Sequence, residues 1–203
     1  MRLFRIVIVL SILTLFGFTE TNPERIAVKQ IKELKKGVLL VRLHTNDAVT
    51  QKLKDLHRDK DRMIMMREIR AENLNVYKAL TTMYKFSEIQ FFFSRDSDKI
   101  KARKYENVFL DSELEMDTSI VLNANLPIFI LDVGDIHFEH MSGHMEGVAI
   151  LNEKFEQLAD PFPYFVRKRS GMVIIRRTDL DIARILDKNL TAFFAKNKLK
   201  DVG

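Results

Sequence analysis

The sequence predicts an α/β (or α+β) domain: a mixed sheet with a βαβ start, a long helical region after the first strand, and a helix at the C-terminus. Three observations predict it. Val38–Leu43 is short and almost wholly aliphatic, the pattern of a strand buried on both faces. Residues 48 to 84 contain neither Pro nor Gly and repeat apolar groups every three or four positions, which is helical spacing. Ile89–Phe93 then returns to a short apolar run. Strand, helix and strand in that order imply two parallel strands joined by a right-handed crossover.

The elements follow along the chain. Ile26–Lys36 places apolar groups near helical spacing, or reads as a loose lead-in strand, and Gly37 stops it. His44–Asp47 is a turn in which Thr45 or Asn46 suits an N-cap and Asp47 suits the positive end of a helix dipole. The polar tract His57–Arg62 leaves either one long helix or two joined there. Met63, Met65 and Met66 read as core filler, with a soft-metal or partner patch as the alternative. Tyr105–Leu110 and Ser119–Leu122 read as strands, and Pro127 opens the apolar strand Ile128–Val133. Gly147–Leu151 and Met172–Arg176 complete the strands, antiparallel where the turns between them are short. Asp160–Pro163 is a proline-stiffened turn, and Asp179–Lys196 is an amphipathic helix capped by Thr178. A thioredoxin-like arrangement is a lesser alternative, in shape only. It too combines a βαβ start with a proline-led strand and a final helix, but its CxxC has no counterpart in a chain without cysteine.

The N-terminus carries a second signal. Arg2 and Arg5 precede a run from Ile6 to Phe18 interrupted only by Ser11, Thr14 and Gly17. A basic start followed by about a dozen apolar residues is the layout of a secretory signal peptide, and a membrane span needs about 20. The expected organisation is a signal peptide at 1–18, a lead-in segment at 19–36 and a single globular domain at 37–203. The domain is expected to be exported, periplasmic or secreted, touching the membrane transiently through the signal. If the signal is not cleaved, the domain is membrane-anchored.

Composition bounds the chemistry. Hydrophobic residues make up 46% of the chain, enough for a real core. The absence of cysteine excludes thiol nucleophiles, thiol redox chemistry, thiolate metal sites and a lipidated N-terminal cysteine. The formal charge of +5 drops by two once Arg2 and Arg5 are removed. That mild excess, without aromatic residues interleaved for stacking on bases, does not point to nucleic acid. Arg167, Lys168 and Arg169, with Arg176 and Arg177, would lie side by side in a hairpin. Such a patch could meet anionic lipid heads or an acidic envelope polymer, or serves as a solvated edge; the expected partner is an unknown protein or envelope component.

Two candidate sites emerge. The first is the crevice beyond the carboxyl ends of the strands, where open α/β sheets bind ligands. It would gather His44 and Asn46 after the first strand and Ser94, Arg95 and Asp96 after the second. If the Ile128 strand runs parallel to them, Asp132 and Asp135 join the rim. The same residue types ordinarily cap helices and end strands. The second is a histidine loop, His137, Glu139, His140 and His144, whose imidazole and carboxylate groups suit zinc or another divalent metal. Otherwise no cofactor is expected. Catalytic signatures such as G-x-S-x-G, a Walker loop, G-x-G-x-x-G and H-E-x-x-H are absent from the chain, so no catalytic residue is assigned. The expected function is that of an exported, non-enzymatic binding or interaction domain. The alternative is a metal-binding protein, or a metal-assisted hydrolase, using His137, His140 and His144.

Overall fold

A computed structural model describes residues 22–137, 144–158, 160–169 and 176–199. The expected signal peptide, the loop residues Glu139 and His140, and residues 172–175 of one expected strand lie outside the described residues.

Helix α1 (Pro23–Lys36) settles the first ambiguity in favour of a helix. Asn22 accepts the Glu24 N–H at 2.9 Å, and Pro23 occupies the first turn, where its missing N–H costs nothing. Ala27, Val28, Ile31 and Leu34 are buried, so this segment contributes to the core. Gly37 then lets the chain pass close to a neighbour: a Cβ there would stand 2.1 Å from the Pro127 carbonyl oxygen.

Strand β1 (Val38–Leu43) is an interior strand of a five-stranded sheet. With β2 (Glu88–Phe93), β3 (Ile128–His137), β4 (His144–Leu151) and β5 (Phe165–Arg167), the order is β2-β1-β3-β4-β5. β1 pairs parallel with both β2 and β3, while β3, β4 and β5 pair antiparallel. Mixed α/β architecture with a βαβ start is therefore the observed class. Leu39, Val41 and Leu43 pack with α1 and two later helices. Val38 and Leu40 pack on the other side with Phe92, Ile100, Phe109 and Ile130. Burial on both faces is why this strand shows no polar alternation.

The long helical region is two helices, α2 (Asp47–Asp55) and α3 (Asp59–Met83). His57, at φ 55°, turns the chain between them. Nothing in α2 is buried, and α3 buries only Asn73, Ala79 and Leu80. None of its first fourteen residues is buried, although Arg70 there donates to the Glu113 carbonyl at 2.7 Å. Met63 and Met66 are 51% and 50% exposed, so the expectation that they fill the core is wrong. Helical spacing sets them on an apolar stripe, but no residue of α2 or of the first half of α3 is buried.

A 3-10 turn (Ser94–Asp96) and α4 (Ser97–Lys101) follow β2. Tyr105–Leu110 and Ser119–Leu122 do not form strands; only isolated bridges join Phe92 to Phe109 and Leu110 to Met116. Asn107 and Leu114 have positive φ. Asp111 accepts the N–H groups of Glu113 and Glu115, and Asp117 accepts that of Ser119. Side chains thus take backbone partners that a ladder would need. The apolar residues still serve the core: Tyr105, Val108, Phe109 and Leu122 are buried.

Beyond β5, Arg169 bridges Arg176 in antiparallel fashion. Helix α5 (Asp179–Asn197) closes the fold with the expected Thr178 cap, completed by Asp181 into a reciprocal capping box. Ile182, Ala183, Leu186 and Leu190 pack against the sheet. Among the described residues, no helix is long and apolar enough to cross a membrane.

Candidate functional site

Parallel pairing of β1 and β3 ends both strands on one side of the sheet, and an open groove of about 960 Å³ lies there. One wall is α3, from Ile69 to Thr82; the other is Lys168 with Arg176–Leu180. Val133 and Gly134 of β3 and Leu43 of β1 form the floor. A small apolar lobe of about 30 Å³, lined by Leu80, Val148, Ile182 and Ala183 among others, adjoins it and shares Val133, Gly134, Glu146 and Lys168 with the groove.

The strand-end residues are arranged as follows. Arg42, His44 and Asp132 meet where β1 ends beside the middle of β3. The Asp132 carboxylate lies 3.0 Å from His44 Nε2 and accepts Arg42 Nη1 at 3.4 Å on each oxygen. A carboxylate only accepts, so Nε2 carries the proton in this contact. Arg42 Nε donates to Ser97 Oγ at 3.1 Å, and its guanidinium lies over the Phe155 ring. His44 lines the groove and Asp132 supports it from behind. Asn73 of α3 donates to the His44 carbonyl at 3.0 Å, fastening the wall to the end of β1. Gly134, at φ +141°, adopts a backbone that side-chain-bearing residues rarely enter. A Cβ there would lie 3.9 Å from His44 Nε2.

The other expected rim residues are dispersed. Asn46 lines the groove at the N-cap of α2 in a left-handed conformation, without a side-chain capping bond. Ser94 Oγ accepts the Thr45 N–H at 3.2 Å, holding the adjacent turn. Arg95 lies over the Phe93 ring, and Asp96 pairs with Lys99 at 2.7 Å. These two act locally and do not line the groove. Asp135 pairs in register with Glu146, and its side chain lies outside the described residues.

Sequence reasoning missed the second wall. Glu146 of β4 meets Lys168 Nζ at 3.3 Å and Arg176 at 2.5 Å, and Lys168 also reaches Asp179 at 3.9 Å. Burial pushes the Glu146 carboxyl up, but hydrogen bonds from Arg176 and Lys168, together with their charges, outweigh it and hold it below its ordinary value. The available signal was the pair of basic clusters on either side of Gly171; the missing fact was their distance from the carboxyl ends of β1 and β3.

For the histidine loop, the register sets His137 directly opposite His144. Their side chains, and Glu139 and His140 entirely, lie outside the described residues. Among the described residues, no group of three or more His, Asp or Glu side chains is placed to hold a metal ion. Comparison with known protein families, with curated proteins and with solved structures returns no match.

Proposed function

We propose that this chain is an exported, non-enzymatic binding domain whose ligand occupies the groove at the carboxyl ends of β1 and β3. The groove itself carries this reading. Its size falls at the upper end of small-molecule sites, about 300–1,000 Å³, and it lies where open α/β sheets bind ligands. Polar groups, among them His44, Asn73 and Lys168, stand above an apolar floor of Leu43 and Val133. Export is supported by the basic-then-apolar order of residues 2–18.

A fragment screen followed by amide NMR on the mature chain tests the binding reading. Shifts should cluster on His44, Asn73, Gly134 and Lys168; shifts scattered over the surface would refute it. The N-terminal mass of the protein in the producing cell tests export, since an intact Met1 contradicts cleavage.

The second reading, a divalent-metal protein using His137, Glu139, His140 and His144, has one observation in its favour: the register that pairs His137 with His144. Zinc titration of the full chain separates the two readings. One tightly bound ion, lost in His140→Ala, would favour the metal reading.

A further inference from the structure

We infer that the groove takes a small organic anion: a carboxylate or phosphate seated against Lys168, Arg176 and Arg177, with a short apolar substituent entering the adjoining lobe. This rests on the groove being the ligand site.

The charge arrangement follows from the strand pairing. Lys168 N–H donates to the Glu146 carbonyl, and Arg177 N–H donates to the Lys168 carbonyl, both at 2.8 Å. With the Arg169–Arg176 bridge, these bonds bring Lys168, Arg176 and Arg177 onto one wall. Among the residues lining the groove, Arg42, Lys78, Lys168, Arg176 and Arg177 stand against the carboxylates Glu72, Glu146 and Asp179, so the groove keeps an excess of positive charge. Lys168 is only 24% exposed, and a charge partly withdrawn from water is screened less than a surface one. The α5 N-terminus adds positive potential on the same side, although Thr178 and Asp181 already cap it. An anion bound here would gain charge-assisted hydrogen bonds from lysine and arginine.

The lobe limits the rest of the ligand. Its volume, about 30 Å³, corresponds to about two water-sized probes, which is room for a two- or three-carbon chain. Its walls, Ala79, Val148, Ile182 and Ala183 among them, offer an aliphatic surface beside Lys168.

The test is an NMR titration of the full chain with acetate, propionate, butyrate and hexanoate, with butyramide as the neutral control and inorganic phosphate as a second oxyanion. Affinity should rise about three- to fourfold per methylene up to butyrate and then level off. It should fall roughly tenfold in Arg176→Met or Lys168→Met, as expected for a lost charge-assisted bond. Arg176 is 61% exposed, so its variant should fold even if the Lys168 variant does not. Phosphate stronger than acetate would assign the head group as a phosphate; phosphate weaker would assign a carboxylate. Butyramide binding as tightly as butyrate, or unchanged affinity in Arg176→Met, would overturn the inference and leave the groove reading standing. No shift at groove residues with any probe would remove both.

Discussion

A methyl group at position 37 is the smallest change that should strain the junction between α1 and the central strand. In Gly37→Ala the new Cβ would lie 2.1 Å from the Pro127 carbonyl oxygen and 3.0 Å from that of Glu33. Ordinary contact begins near 3.4 Å, so the backbones must part by about 1 Å, a shift on the scale at which overpacking is felt. The Pro127 oxygen is already held by the Val38 N–H at 3.0 Å, which starts the β1–β3 pairing. Backbone conformation is not the obstacle, since φ −103° is open to alanine. Loss of glycine's freedom in the unfolded chain favours the variant by about 0.4–1 kcal/mol. Against that stand about 1–3 kcal/mol of overpacking and about 1 kcal/mol for a weakened hydrogen bond. The net expectation is a loss of about 2 kcal/mol. At a urea slope of about 2 kcal/mol per molar, the unfolding midpoint should fall by about 1 M. A midpoint unchanged from wild type would mean that the helix end and the Pro127 carbonyl are not packed this closely.

Two further outcomes follow from the site. Asp132→Asn weakens the contacts that orient Arg42 and His44; Asp132 is 19% exposed, so the partly buried cluster should lose about 1–2 kcal/mol, read as a Tm lower by a few degrees, and an unchanged Tm would show the pair to be energetically idle. Glu146 has a folded pKa below its ordinary value, so its contribution to stability is present above the unfolded carboxylate pKa and is lost as pH falls through the folded one. The stability gap between wild type and Glu146→Gln should therefore be fullest near pH 7 and should close in acid; a gap that stays constant with pH would remove the ion pair as its cause.

Local sequence pattern made the sheet's central elements legible. Val38–Leu43 could be read because it is buried on both faces, and the cap of α5 because Thr178 and Asp181 carry their own hydrogen-bonding logic. The segment from Tyr105 to Leu122 misled because apolar residues report burial, and burial there is achieved without a ladder. His44 and Asp132 were legible as strand-end residues, but their 3.0 Å contact depends on the β1–β3 pairing, which sets Arg42 beside Asp132 in register. Glu146, Lys168 and Arg176 were less accessible still. They lie far apart in sequence, on β4, just past β5 and at an isolated bridge, and only the antiparallel half of the sheet brings them together.

Strand β1, which needs a partner on each edge, is also the first of the described strands to be synthesised. Val38–Leu43 leaves the ribosome with both edges bare, and its partners begin only at Glu88 and Ile128. At a synthesis rate of about 5–20 residues per second, the second edge waits for roughly five to twenty seconds. A hexapeptide whose only charge is Arg42 and which holds no proline is sticky during such a wait. Chains truncated before Ile128 should accordingly collect as insoluble material, whereas chains that reach Leu131 acquire the strand that seals the exposed side.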